Sequence, residues 1–207
     1  MAESESPLLY NSRRRDFFMA REKYSSLSRF IAKILRHEPE IIGITLDSHG
    51  WAKVSDLISG IAKTSRRIDI EILREIVATD KKGRYSFSDD GEFIRANQGH
   101  SVEVDADLEE REPPELLYHG TSQDTVPIIN AEGLKPMTRL YVNLSKDYDT
   151  AMKTGKRKGK PYVFRVKAGK MFRDGHKFLI SSNGVWQVKF VPPEYLEEES
   201  QKRDAEK

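Results

Sequence analysis

The stretch RYSFSDDGEFIRA, at residues 84–96, reads as two short strands joined by a tight turn. Apolar residues also recur at helical spacing in three earlier segments, at 27–35, 54–61 and 72–77. Pro39 requires that the first helix has already ended, and Asp69 is a candidate N-cap for the third. Three helices followed by a β-hairpin is the element order of a winged-helix domain.

Beyond this region the pattern changes to that of a second domain. An acidic, aperiodic stretch at 101–114 ends in Pro113-Pro114 and has the composition of a linker. Strands are then predicted at 116–118, 140–144 and 162–166, short helices at 124–132 and 147–154, and a hairpin at Asn183-Gly184. This order favours an α+β domain rich in antiparallel strands.

We therefore predict an α+β protein with two domains, at 23–100 and 115–196, joined by the linker at 101–114. The polar segment at 1–22 is predicted to be a flexible leader. The charged segment at 197–207 is predicted to be a disordered tail.

The composition limits the function before any motif is considered. The 207 residues include 35 Lys and Arg against 33 Asp and Glu, which excludes nucleic-acid binding through bulk charge but allows a locally basic site. The absence of Cys excludes disulfides, a thiolate nucleophile and a Cys-ligated zinc. Because the chain shows neither a signal-peptide core nor an apolar segment of about 20 residues, we expect a cytoplasmic protein, or a nuclear one in a eukaryote.

Common catalytic motifs are missing from the chain. It contains no HExxH, GxGxxG or GxSxG pattern, so zinc peptidase, dinucleotide-fold and serine hydrolase chemistry have no support. The segment GKRKGK at 155–160 resembles a phosphate loop, but Pro161 stands where Ser or Thr is needed. Composition alone favours a solvated basic loop here.

Polar clusters at the ends of apolar elements are the better candidates for a site, since rigid elements hold such side chains in place. Arg36-His37 closes the first helix, where cations often only balance the negative helix end. The run at 118–122, Tyr-His-Gly-Thr-Ser, suits a sugar or phosphate at a strand end and equally suits a turn histidine. Further candidates lie at 99–101 and 139–145.

These clusters occur in an order that resembles one family, the NAD-dependent RNA 2′-phosphotransferases, whose tRNA splicing members remove a 2′-phosphate. The resemblance covers residues 26–195. It is carried by LRHEP at 35–39, IG at 42–43, LD at 46–47, GW at 50–51, KGRYS at 82–86, IRA at 94–96, QGHS at 98–101, YHGT at 118–121, RLYVNLS at 139–145 and NGVW at 183–186.

The resemblance implies a fold and a set of site residues. A winged-helix lobe would face an ADP-ribosyltransferase-type lobe, with the active site in the cleft between them. The implied catalytic residues, which also bind the RNA phosphate, are Arg36, His37, Arg84 and Arg139. His100 and Ser101 join them on the RNA phosphate, and no metal is implied. The implied NAD-binding residues are His119, Gly120, Thr121, Ser122, Asn143, Ser145 and Val185.

The implied reaction consumes NAD. The RNA 2′-phosphate is first ADP-ribosylated with loss of nicotinamide, and the neighbouring ribose hydroxyl then releases RNA and ADP-ribose 1″,2″-cyclic phosphate. The implied partner is RNA with an internal 2′-phosphate, with tRNA foremost, and we expect a monomer. Asn143 departs from the family pattern, in which His is usual; Asn keeps the hydrogen bonding but cannot titrate near neutral pH.

Two alternatives stay open at this point. An ADP-ribosyltransferase acting on terminal nucleic-acid phosphates or on protein would stop after the first step and give no cyclic phosphate. A winged-helix nucleic-acid-binding regulator would bind without regard to NAD and release no nicotinamide.

Overall fold

A computed structural model describes residues 24–198 of the chain. The predicted leader at 1–22 and residues 199–207 of the predicted tail lie outside the described residues. The chain divides into two compact units, one ending at Asp105 and the other beginning at Ala106. Among the helices of the described part, none combines the length and apolar character needed to cross a membrane.

The first unit contains the three predicted helices, α1 Ser25–Arg36, α2 Val54–Ala62 and α3 Ile70–Thr79. Each buries an apolar face, as its spacing predicted. Asp69 caps α3 as expected, with its carboxylate accepting from the Ile72 amide at 2.8 Å. After α1, a 3-10 helix at Pro39–Ile42 ends at Gly43, which adopts a left-handed conformation.

The predicted hairpin of the first unit is confirmed. Strand β2, Tyr85–Phe87, pairs antiparallel with β3, Phe93–Ala96, and β1, Trp51–Lys53, joins the other side of β3. The turn closes through the amide of Gly91, which donates to the Ser88 carbonyl at 2.9 Å. The sheet therefore has the order β1-β3-β2 and packs against the helices.

The second unit contains two antiparallel sheets. The three-stranded sheet has the order β10-β7-β5, and the four-stranded sheet has the order β4-β8-β9-β6. The strands are β4 Glu109–Glu110, β5 Leu117–Ser122, β6 Val142–Leu144, β7 Pro161–Val166, β8 Leu179–Ile180, β9 Trp186–Val188 and β10 Leu196–Glu198. Two backbone hydrogen bonds between Tyr118 and Ser145 connect β5 to the end of β6.

Three helices complete the second unit, α4 Val126–Glu132, α5 Tyr148–Gly155 and α6 Ala168–Arg173. Helix α5 lies so close to β5 that a Cβ at Gly120 would overlap the carbonyl oxygen of Ala151. Only glycine allows this approach. The contact places the residues that follow α5 beside the polar end of β5.

The α+β class is confirmed by these helices and antiparallel sheets, but β4, β10 and α6 are among the elements that were not predicted. Strand β4 lies within the acidic stretch, β10 extends to Glu198, and α6 follows β7 directly. The two strands carry glutamates and pair antiparallel with β8 and β7 respectively. Because such pairing depends on distant residues, it leaves no hydrophobic period in the local sequence.

Candidate functional site

Hydrogen bonds connect the end of α1 to the segment that follows β3. The Ser101 amide donates to the Arg36 carbonyl at 2.9 Å, and Nδ1 of His37 lies 2.9 Å from Ser101 Oγ. These contacts join residues 64 positions apart in the chain. Arg36, His37, His100 and Ser101, which we name the first-unit cluster, are thus brought together as the motifs predicted.

His100 is the buried member of this cluster, with 4% of its surface exposed. Burial, followed by the positive charges of Arg36, His37 and Arg95, lowers its pKa to about 4. The imidazole is therefore neutral at neutral pH. Its Nε2 has no hydrogen-bond partner within residues 24–198. The positive charge around this neutral imidazole favours an anionic ligand.

Arg84 lies on the same unit, at the start of β2, and is held by a carboxylate. Its Nε and Nη2 donate to Asp80 Oδ1 at 3.0 and 2.8 Å. Burial raises the pKa of the Tyr85 hydroxyl, whereas the Ser28 hydrogen bond and then the charges of Arg84 and Arg36 act to lower it. Both guanidinium groups therefore act on one hydroxyl, although Arg84 does not contact the first-unit cluster through a hydrogen bond.

In the second unit, His119 lies near the end of β5 with its Nδ1 3.1 Å from the Asn143 carbonyl oxygen. A carbonyl only accepts hydrogen bonds, so Nδ1 carries the proton. Burial lowers the pKa of His119 to about 4; the Asn143 bond opposes this shift, and the charges of Lys158 and Arg139 add to it. At neutral pH, Nε2 is therefore an unprotonated acceptor.

Three cations accompany His119, namely Arg139, Arg157 and Lys158, which we name the second-unit cluster. Burial lowers the pKa of Lys158, and the charges of Arg139 and Arg157 lower it further. Burial and then Arg157 lower the pKa of Arg139, although much of this residue is exposed. None of the three forms an ion pair with a carboxylate of the described chain.

The backbone keeps this basic segment beside β5. Lys156–Lys158 form a 3-10 turn directly after α5, and the Lys160 carbonyl accepts from the Gln123 amide at 2.8 Å. Arg157 Nη2 donates to Thr154 Oγ1 at 3.0 Å. Composition alone favoured a solvated loop here, but in the structure its charges act on a buried histidine.

The other residues implied for NAD binding are engaged mainly with the protein. Thr121 is 3% exposed, and its hydroxyl contacts that of Thr125 at 2.8 Å. Ser122 is also buried, and its carbonyl accepts from Thr125. In the β8–β9 hairpin, the Val185 carbonyl accepts from the Ser181 amide, and the Val185 amide donates to Ser181 Oγ. Gly120 allows the close approach of α5, and the backbone of Ser145 pairs with that of Tyr118.

Asn143 lies directly across from Gln187 in the pairing of β6 with β9. Gln187 is 2% exposed, and its Nε2 has no hydrogen-bond partner among the described residues. A buried amide donor without an acceptor is costly. Gln187 lies opposite Asn143, which is implied for NAD binding. It is therefore a candidate NAD-binding residue that the sequence motifs did not indicate.

Two further residues were missed. Asp80 precedes Arg84 by four positions. An acidic and a basic residue at that spacing can form an ion pair, and this spacing could have indicated the role of Asp80. Lys158 lies in the GKRKGK segment, whose likeness to a phosphate loop was the available signal, although composition favoured a solvated loop. Within residues 24–198, no group of three or more Asp, Glu or His side chains is arranged to hold a metal ion.

Comparison with known proteins supports one assignment. The family model described as "RNA 2′-phosphotransferase, Tpt1 / KptA family" matches residues 22–189. A "Probable RNA 2′-phosphotransferase" of Flavobacterium johnsoniae is 47% identical over 172 residues, which cover 83% of this chain and 94% of the relative. Relatives of the same name from Acaryochloris marina and Rhodopirellula baltica are 44% and 45% identical, over 86% and 83% of this chain and 98% and 94% of theirs.

Proposed function

Because the chain belongs to the RNA 2′-phosphotransferase, Tpt1/KptA family, we propose that it transfers an internal RNA 2′-phosphate, as at a tRNA splice junction, to NAD. The products are RNA with a 2′-hydroxyl, nicotinamide and ADP-ribose 1″,2″-cyclic phosphate. NAD supplies the acceptor for the phosphate, an electrophilic ribose carbon from which nicotinamide departs.

The first unit, in this proposal, is a winged-helix domain that binds RNA. Its three helices and three-stranded sheet support this assignment. Arg36 and His37 grip the 2′-phosphate, because a guanidinium stays protonated and can form two parallel hydrogen bonds with phosphate oxygens. Ser101 fixes His37 through its hydroxyl, and His100, a further member of the cluster, is buried and neutral.

The second unit, in the same proposal, is an ADP-ribosyltransferase-type domain that binds NAD. The observation that carries this step is the second-unit cluster, three cations without a carboxylate beside a neutral histidine. This donor set fits NAD, since the cations match the charge of its pyrophosphate. The unprotonated Nε2 of His119 accepts a hydrogen bond from a ribose hydroxyl.

Arg139 connects the two substrates in this scheme. It is the member of the second-unit cluster that the resemblance implies to be catalytic, and we assign it to the phosphate that is transferred. A phosphate is already anionic, so the transfer requires positioning and charge neutralisation more than a general base.

One assay tests the proposal directly. The protein is incubated with NAD and an oligoribonucleotide that carries one internal 2′-phosphate, and the products are separated and weighed by mass spectrometry. We expect 2′-hydroxyl RNA, nicotinamide and the cyclic phosphate in equal amounts. A stable ADP-ribosylated RNA without cyclic phosphate would indicate a transferase that stops earlier, and RNA binding without nicotinamide release would indicate a regulator.

A further inference from the structure

The carboxylate of Asp80 holds both the main chain and the side chain of Arg84. Asp80 Oδ1 accepts from Arg84 Nε at 3.0 Å and from Nη2 at 2.8 Å, while Oδ2 accepts from the Arg84 backbone amide at 2.6 Å. Asp80 is the C-cap residue of α3. The end of a core helix thereby fixes the position of this guanidinium.

The contact leaves one edge of the guanidinium open. A guanidinium has five N–H groups, and Asp80 takes the edge formed by Nε and Nη2. The Nη1 group has no hydrogen-bond partner within residues 24–198. The side chain of Asp80 is 4% exposed and that of Arg84 is 28% exposed, so the carboxylate lies inside and the open edge lies towards solvent.

The surrounding loop is also held by contacts that do not involve the Asp80 carboxylate. Asn97 donates from Nδ2 to the Gly83 carbonyl at 2.7 Å, and its amide donates to the Arg84 carbonyl at 2.8 Å. Asn97 is itself buried. A change at Asp80 should therefore release the guanidinium while the backbone of the loop is retained.

We propose that Asp80 is a positioning residue, which holds Arg84 so that its Nη1–Nη2 edge binds the RNA 2′-phosphate. This inference rests on the proposed function. A guanidinium that is already oriented loses less rotational freedom when the phosphate binds. The buried carboxylate also requires arginine here, because a lysine ammonium cannot present one planar edge to Asp80 and another to the phosphate.

The test compares Asp80→Asn with the wild type and with Asp89→Asn, an exposed aspartate of the same unit. Fluorescence anisotropy measures the affinity for two oligoribonucleotides that differ only in one internal 2′-phosphate. We expect Asp80→Asn to reduce the affinity gained from the phosphate by roughly tenfold. The KM for NAD should remain that of the wild type, and Asp89→Asn should match the wild type in every measurement.

Coupling to Arg84 separates positioning from a general structural effect. Arg84→Ala should remove the gain from the phosphate, and adding Asp80→Asn to it should cause no further loss. Equal gains from the phosphate in Asp80→Asn and the wild type, or additive losses in the double variant, would overturn the inference. If the wild type neither prefers the phosphorylated oligonucleotide nor forms product, the proposed function itself fails.

A measurement on the wild type covers the case in which Asp80→Asn does not fold. Proton–nitrogen NMR resolves the Arg84 Nε–H, whose exchange with water is slow while Asp80 accepts its hydrogen bond. We expect the Nη resonances to shift when phosphorylated RNA binds, with Nε–H exchange still slow. Rapid Nε–H exchange in the complex would show that Arg84 leaves Asp80 and would contradict the proposed geometry.

Discussion

His37 Nδ1 lies 2.9 Å from Ser101 Oγ and thereby ties the last residues of α1 to the segment that follows β3. The two residues also belong to segments joined by the Ser101 amide, which donates to the Arg36 carbonyl. The backbone contact fixes the segment, and the hydroxyl contact fixes the imidazole. These two effects can be separated by experiment.

Ser101→Ala should weaken RNA binding without unfolding the protein. The substitution removes the hydroxyl that orients His37 but keeps the Ser101 amide and its hydrogen bond. A hydrogen bond of this kind contributes about 1 kcal/mol, so we expect roughly a fivefold loss of affinity for 2′-phosphorylated RNA. Anisotropy titration measures it, and Ser55→Ala, at an exposed serine on α2, is the matched control.

The stability of the first unit should fall in mild acid because of His100. The pKa of His100 is about 4 in the folded protein, against the ordinary histidine value of 6.5, so the unfolded chain binds the proton more readily between these two pH values. Neutral His100 therefore makes its full contribution to the free energy of unfolding above the unfolded pKa. This contribution is lost as the pH falls towards 4, by up to about 3 kcal/mol. Urea unfolding followed by Trp51 fluorescence, in a Trp186→Phe background, should show that His100→Gln lessens this pH dependence. Equal slopes in variant and wild type would contradict the assignment.

Lys158→Ala should raise the KM for NAD, because the second-unit cluster then has one cation fewer for the pyrophosphate. Loss of a charge-assisted contact corresponds to roughly a tenfold change. The difference from the wild type should shrink at high salt, since the site is partly exposed. Lys153→Ala, at an exposed lysine in the last turn of α5, should leave the KM unchanged. A similar rise in both variants would indicate a nonspecific effect of charge.

Gly120→Ala should destabilise the second unit strongly. The added methyl group would overlap the Ala151 carbonyl and force α5 away from β5, at a cost of about 3 kcal/mol. Gly91→Ala makes a suitable comparison, because its space is open and only its positive φ of 74° resists the change. We expect a loss of about 1 kcal/mol there. Thermal unfolding of the two variants should rank them in this order.

The sequence predicted those elements whose residues carry their own periodic signal. Helix α1 and the β2–β3 hairpin follow from local spacing and turn residues, and the structure confirms both. Strands β4 and β10 do not, because their glutamates become strand residues only when β8 and β7 lie beside them. Pairing between distant segments is not encoded in a local window.

The site divides in a similar way. Motifs identified Arg36, His37 and Ser101, and the structure joins them. The sequence could not show that Lys158 acts on His119, because their approach depends on the packing of α5 against β5. Nor does a sequence show on which edge a guanidinium is held, as Asp80 holds Arg84. The orientation of a side chain and its distance from residues far along the sequence are set only when the chain folds.

The hydrogen bond between His119 and the Asn143 carbonyl has a consequence for how this sequence can vary. The acceptor belongs to the main chain and is present whatever side chain occupies position 143. Exchange of His for Asn at this position therefore leaves unchanged which nitrogen of His119 carries the proton. The main chain of a paired strand, rather than a side chain, preserves the tautomer of His119, so substitutions at position 143 do not change it.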